Sequence, residues 1–124
     1  MKLISKILIG LVALIHLYIL WFEMFAWTSR GPKVFSNFPP DLFEPTTTLA
    51  ANQGLYNGFL AAGLIWTFFI QDVKWQRNVA IFFLSCVAIA GMYGAATADT
   101  KILMVQTLPA VLGILTVLFL KKKD

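Results

Sequence analysis

Four long apolar segments divide the chain, and short polar stretches separate them. The pattern predicts helices over residues of about 3–27, 48–70, 78–98 and 101–120. Each is long enough to cross the roughly 30 Å hydrocarbon core of a bilayer, which takes about 20 helical residues. Short connections place successive helices antiparallel. The pattern therefore predicts an all-α fold, an integral membrane four-helix bundle with antiparallel up-down topology in a single domain.

One long connection, residues 28–46, interrupts this pattern. A glycine and four prolines exclude a continuous helix there: Gly31, Pro32, Pro39, Pro40 and Pro45. The connection also carries too many apolar side chains to be a free linker, so we expect it to lie on the membrane surface or to cap the bundle. A short helical turn is expected at residues 40–43.

Local signals define the other segment ends and their packing. We expect Thr47 or Thr48 to cap the second helix, and residues 71–77 to form a polar loop. Pro109 is expected to kink the fourth helix. A G-x-x-x-G pattern in the second helix, Gly54 and Gly58, favours close approach of a neighbouring helix.

Composition and charge exclude several classes of protein. The chain of 124 residues is 59% hydrophobic and 13% charged, against roughly 25% charged in soluble domains. The net charge of +4 does not indicate nucleic-acid binding, because the basic residues lie at segment ends and form no stripe. The single cysteine, Cys86, excludes an intrachain disulfide. No standard metal or nucleophile motif occurs, so we expect no metal and no cofactor.

Lysine and arginine counts predict the orientation. One side carries seven: Lys2, Lys6, Lys74, Arg77, Lys121, Lys122 and Lys123. The other carries three: Arg30, Lys33 and Lys101. The basic, apolar N-terminus resembles a signal peptide but lacks a cleavage site, so we interpret it as a retained span. Both termini should be cytoplasmic in a multi-pass protein of the bacterial cytoplasmic membrane.

Polar side chains lie at similar depths in the predicted outer half of the bundle. At 1.5 Å per residue, Glu23 lies about 6 Å inside Trp27, and Asn57 lies about 13 Å below Thr48. The same calculation puts Tyr93, four residues before Thr97, about 9 Å below Asp99, and Gln106 about 7 Å below Lys101. His16 lies deepest, about 16 Å from Trp27. The cytoplasmic halves are nearly devoid of polar groups, which predicts a pocket open outward.

Each of these residues also has a purely structural interpretation. Asn52 near the headgroups could simply be solvated, and Gln53 and Asn57 could join helices at about 0.6 kcal/mol per hydrogen bond. His16 could be neutral and bonded to a backbone carbonyl. Glu23 is the hardest to explain structurally, because a carboxylate at that depth costs on the order of 3 kcal/mol. It should be protonated, paired or in contact with water.

Three stretches of the chain resemble the DUF1304 family of small bacterial and fungal membrane proteins of unknown function. They are HLYILWFEMFAW, LAANQGLYNGFLAAGL and AGMYGAATADTKILMVQTLPA. The resemblance implies a four-helix membrane bundle and no established activity. The recurrent polar positions of the family correspond here to His16, Glu23, Asn52, Gln53, Asn57, Tyr93, Thr97 and Gln106. Family members often carry a glutamate just before the histidine, where this chain has Ile15.

The favoured functional hypothesis is binding of an amphipathic or lipid-like small molecule in the outer pocket. Glu23 would be the ionisable contact, with the polar residues around it completing the site: Asn52, Gln53, Asn57, Tyr93, Thr97 and Gln106. A second hypothesis is an enzyme that uses Glu23 and His16 for proton transfer on a lipid-like substrate. A third is a proton-coupled transporter acting as a dimer, and a structural partner subunit is a fourth. The expected partners are the bilayer, the small molecule and a second copy of the chain, but not nucleic acid.

Overall fold

A computed structural model describes residues 1–120 of the chain, and the described part is all-helical. Its five α-helices are α1 (Leu3–Phe25), α2 (Trp27–Val34), α3 (Thr47–Trp66), α4 (Val73–Thr97) and α5 (Leu108–Phe119). Short 3-10 turns cover Pro40–Leu42 and Thr67–Phe69, and a π-helical turn, Leu103–Thr107, leads into α5. The all-α prediction is confirmed for these residues. Three of the lysines used to predict orientation, Lys121, Lys122 and Lys123, lie outside the described residues.

Helices α1 and α3 form the most extensive interface, and they run antiparallel. Gly54 near the start of α3 faces Met24 near the end of α1, whereas Gly10 near the start of α1 faces Phe68 just after α3. Gly58 faces Leu20 between these points. The two glycines of the G-x-x-x-G pattern therefore lie against α1, which confirms the predicted close approach.

Helices α3 and α4 are also antiparallel to each other, and so are α4 and α5. Gly63 of α3 lies against Phe83 of α4, and Gln76 at the start of α4 donates from Nε2 to the carbonyl of Thr67 at 3.0 Å. Gly91 near the end of α4 lies against Thr107 before α5, and Gly113 of α5 lies near Leu84 of α4.

The hydrophobic core contains side chains from all four long helices. Ile9, Val12, Leu64, Leu84 and Val87 are fully buried in it. Val117 is also buried in it, and alanines fill the other core positions: Ala13, Ala80, Ala88 and Ala110. Small side chains let the helix axes approach closely, so packing rather than polar contact holds the centre together.

Two helix starts differ from the sequence-based prediction. Helix α4 begins at Val73, inside the predicted 71–77 loop, because Asp72 Oδ1 accepts the Trp75 N–H at 2.7 Å and caps the first turn. The predicted cap of α3 is wrong. Thr47 is the first helical residue, Thr46 occupies the cap position without a side-chain cap bond, and both hydroxyls instead donate backwards to carbonyls of residues 42–44.

Residues 27–46 fold back onto the end of α1 around Trp27. Its indole ring lies 5.1–6.0 Å from four phenylalanine rings: Phe22, Phe35, Phe38 and Phe43. Its Nε1 donates to Thr46 Oγ1 at 3.0 Å. The predicted turn at residues 40–43 is present as Pro40–Leu42. Helix α2 was not predicted from the sequence, and it continues through Gly31 and Pro32.

A π-helical turn precedes Pro109, where the sequence predicts a kink. In this turn the Leu108 N–H donates to the carbonyl of Leu103, so the backbone is wider here than in an α-helix. Pro109 itself lies in the first turn of α5, where its missing N–H is tolerated.

Two of the helices, α1 and α4, are long and apolar enough to cross a membrane. About a quarter to a third of each apolar stretch is buried inside the protein, 28% in α1 and 33% in α4. Several large apolar side chains on both helices are exposed, among them Ile7 and Leu14 of α1 and Phe82 and Ile89 of α4.

Candidate functional site

The polar centre of the α1–α3 interface is the contact between Glu23 and Asn57. Asn57 Nδ2 donates to Glu23 Oε2 at 3.1 Å. Gly54 lies one turn before Asn57 and leaves room for this contact because it has no side chain. A Cβ at this position would lie 3.0 Å from Glu23 Cβ. Asn57 is only 9% exposed and Glu23 is partly buried. A carboxyl group is thus fixed between two helices.

The hydrogen bonds of this contact leave one carboxyl oxygen free. Asn57 Nδ2 also donates to the carbonyl of Gln53 at 3.0 Å, so both of its amide hydrogens are used. Glu23 Oε1 accepts no hydrogen bond from the residues that the structure describes. Nor does any lysine or arginine within residues 1–120 pair with Glu23, since the ion pair found there joins Lys101 and Asp99 at 3.9 Å. Oε1 can therefore accept from an additional group.

His16 lies on the same face of α1, two turns before Glu23, and is fully buried. Its Nδ1 lies 2.8 Å from the carbonyl of Val12. A carbonyl can only accept, so Nδ1 carries a proton and donates this bond. Nε2 is buried without a hydrogen-bond partner in the described part of the chain. This bond to Val12 matches the structural interpretation of His16.

Of the other predicted site residues, Gln53 takes part in this contact through its backbone carbonyl. No side chain of the remaining ones bonds to Glu23 or Asn57 in the described part of the chain. Asn52 and Gln53 are exposed, and Tyr93 is 71% exposed. Thr97 is exposed and its hydroxyl donates to the carbonyl of Tyr93 at 2.8 Å. Gln106 is partly buried in the π-helical turn, where its Cβ lies against Gly91 of α4. Their roles as ligand contacts remain predictions.

Several buried polar groups elsewhere were missed by sequence reasoning. Gln76 is buried and joins α4 to Thr67, although it was predicted to lie in a loop. Thr107 Oγ1 donates to the carbonyl of Ala88 at 3.3 Å and joins the π-helical turn to α4. Ser5 is buried near the start of α1 with an unpartnered hydroxyl among the described residues. The Asp72 cap was the signal that could have placed Gln76 on a helix.

The described residues contain no group of three or more His, Cys, Asp or Glu side chains that could hold a metal ion. The chemistry available at the α1–α3 interface is therefore that of a carboxyl, an amide and, deeper in the protein, an imidazole. All three groups can form hydrogen bonds, and the carboxyl and the imidazole can also exchange protons with a bound molecule.

Comparison with known proteins identifies relatives without a known activity. The family described as "Protein of unknown function (DUF1304)" matches residues 10–118. The chain is 31% identical over 121 residues to the "Uncharacterized protein YpaA" of Lactococcus lactis subsp. lactis (strain IL1403), covering 96% of this chain and 100% of the relative. No solved structure shows significant similarity to this chain.

Proposed function

Because the chain belongs to the DUF1304 family, whose function is unknown, we propose its activity from the chemistry of its own residues. The protein is an integral membrane protein that binds an amphipathic, lipid-like small molecule at Glu23. The observation that carries the proposal is a carboxyl group within an apolar helix that accepts one hydrogen bond, while its second oxygen has no partner among residues 1–120.

Exposed apolar surface supports the placement in a membrane. Large apolar residues face outward along the whole of α1, among them Leu3, Ile7, Leu14, Trp21 and Phe25. Burying one such side chain in hydrocarbon is favourable by about 1.5–3 kcal/mol. Soluble monomers rarely expose continuous apolar surface of this extent. The hydrocarbon of a bilayer would cover this apolar surface.

The proposed arrangement is a four-helix bundle in that bilayer, with both termini on the cytoplasmic side. The antiparallel contacts between successive long helices support the up-down order. The bias of lysines and arginines supports the orientation. In this arrangement Glu23 belongs to the outer half of the bundle, where the ligand enters from the outer leaflet.

The free oxygen of Glu23 defines the chemistry of the ligand. A carboxyl in this position costs on the order of 3 kcal/mol unless it is compensated. A head group such as a hydroxyl or an ammonium would donate a hydrogen bond to Oε1 and offset this cost. An alkyl chain would pack against the apolar surface around the carboxyl group. Charge-assisted bonds of this kind contribute roughly 1.5–3 kcal/mol.

Thermal stabilisation of the detergent-solubilised protein by three probes with long alkyl chains tests the proposal. Dodecylamine and monoolein have donating head groups, and sodium dodecanoate is an anionic control. We expect the first two to raise the melting temperature and dodecanoate to leave it unchanged. Glu23→Gln should weaken binding of dodecylamine by at least about tenfold, equivalent to about 1.4 kcal/mol.

The matched control for this experiment is Glu44→Gln, which removes an exposed carboxylate from the 27–46 segment. It should bind dodecylamine as the unmodified protein does. Equal stabilisation of the protein and its Glu23→Gln variant would contradict the proposal, as would equal stabilisation by dodecanoate.

The unpartnered Nε2 of His16 favours one alternative, an enzyme that transfers protons on a lipid-like substrate. Nε2 is buried without a hydrogen-bond partner among the described residues, but it is separated from Glu23 by about 10.5 Å along the helix axis. A substrate or water would have to bridge the two groups. Lipid analysis of cells carrying His16→Ala tests this, and an unchanged lipid profile would argue against it.

A further inference from the structure

An open groove lies between the start of α4 and the end of α5, and its walls are both cationic and apolar. Its volume is about 480 Å³. The lining residues are Val73, Lys74, Arg77, Asn78, Ile81 and Leu118. No part of this groove belongs to the Glu23 site.

The groove and the Glu23 site lie at opposite ends of the helices. Glu23 is near the end of α1 and contacts the first half of α3. Gln76, in the first turn of α4, contacts Thr67 just after the end of α3. Because α3 separates the two contacts along its length, a molecule in the groove does not compete with one at Glu23.

Within residues 1–120, no carboxylate forms an ion pair with the cationic wall. Lys74 and Arg77 are three residues apart and so share one face of α4. Neither forms an ion pair with a described carboxylate. The adjacent acid, Asp72, caps the helix through the Trp75 N–H and lines a separate groove on the other side of the helix start. An anion in the groove would therefore meet two positive charges.

The other groove residues provide an amide and a path for an alkyl chain. Asn78 is next to Arg77 and can donate or accept. Ile81 lies one turn further along α4, and Leu118 faces it from α5. Trp75 at the same end is 63% exposed, as is typical of tryptophans at a membrane surface. Charge at one end and hydrocarbon along the wall match a phospholipid better than a soluble anion.

We propose that this groove binds an anionic phospholipid, with Lys74 and Arg77 holding its phosphate and Ile81 and Leu118 contacting its acyl chain. Basic residues between membrane helices are suited to this chemistry. The inference shares with the proposed function only the placement in a membrane, and it assigns a second, independent site.

Titration of lipid into the detergent-solubilised protein, followed by native mass spectrometry, tests this site. We expect phosphatidylglycerol to bind and phosphatidylcholine to bind much more weakly. The double variant Lys74→Gln/Arg77→Gln should weaken phosphatidylglycerol binding by about 25-fold, since one cation contributes about 1 kcal/mol, or about fivefold. The double variant Arg30→Gln/Lys33→Gln removes two cations from the 27–46 segment and should bind as the unmodified protein does.

Three outcomes would overturn the assignment. They are equal binding of the two lipids, equal weakening by both double variants, and no weakening by Lys74→Gln/Arg77→Gln. Glycerol 3-phosphate is the headgroup control, and if it binds as tightly as the lipid, the site is one for soluble phosphates. Glu23→Gln should retain phosphatidylglycerol binding. Dodecylamine binding therefore tests the Glu23 site, and phosphatidylglycerol binding tests the groove separately.

Discussion

Replacing Gly54 by alanine is expected to destabilise the protein by about 1–3 kcal/mol, the usual cost of overpacking. An added Cβ would lie 2.8 Å from Met24 Cγ and 3.1 Å from the Leu20 carbonyl oxygen. Backbone cannot yield as a flexible side chain can, so α1 and α3 must separate. Separation lengthens the Glu23–Asn57 hydrogen bond, which couples this packing position to the proposed site.

Gly10→Ala is the matched control for this variant. Its added Cβ would meet only Phe68, at 3.9 Å. Alanine is favoured over glycine within a helix by about 1 kcal/mol, and that gain applies to both variants. Unfolding of both proteins in detergent, followed by circular dichroism, makes the comparison. A Gly54→Ala protein as stable as Gly10→Ala would contradict the close α1–α3 packing.

Asn57→Asp is expected to destabilise the protein by about 4 kcal/mol at alkaline pH. It replaces the amide that donates to Glu23 with a second carboxylate at nearly the same place. Two like charges about 4 Å apart repel by about 4 kcal/mol at the effective dielectric of a protein surface. Acidification should restore much of the stability, because a protonated carboxyl can donate to the other. Unfolding measured across pH checks both expectations.

Two further variants isolate the contact itself. Asn52→Asp adds the same charge at an exposed position of α3 and should have little effect. Combining Asn57→Asp with Glu23→Gln exchanges the amide and the carboxylate across the interface and should recover most of the lost stability. Recovery should be incomplete, since the Gln53 carbonyl loses its donor. No recovery in the double variant would show that the two side chains do not interact directly.

The positions of the long helices were predictable because hydrophobic segments define them over many residues. Their ends depend on single hydrogen bonds, and the predicted starts of α3 and α4 were therefore wrong. The Asp72 side chain starts α4 at Val73, although the following residues are polar enough to suggest a loop. Pro32 is the sixth residue of the 8-residue α2, where its missing N–H costs the helix a single backbone hydrogen bond.

The meeting of Glu23 and Asn57 was predictable, but the direction in which the other candidate side chains face was not. Counting residues along antiparallel helices gives the height of each side chain, and it correctly places Glu23 and Asn57 at a common level. The rotation of each helix about its axis depends on packing that residue counts do not contain. Tyr93 is 71% exposed, while Asn57 faces α1.

The most direct test of Glu23 as a ligand contact is an experimental density map of the protein reconstituted in lipid with dodecylamine. We expect head-group density within hydrogen-bond distance of Glu23 Oε1, about 2.7–3.2 Å, while Oε2 retains its bond to Asn57. A map with Glu23 turned toward the acyl chains of the bilayer, or with the amine bound elsewhere, would contradict the account.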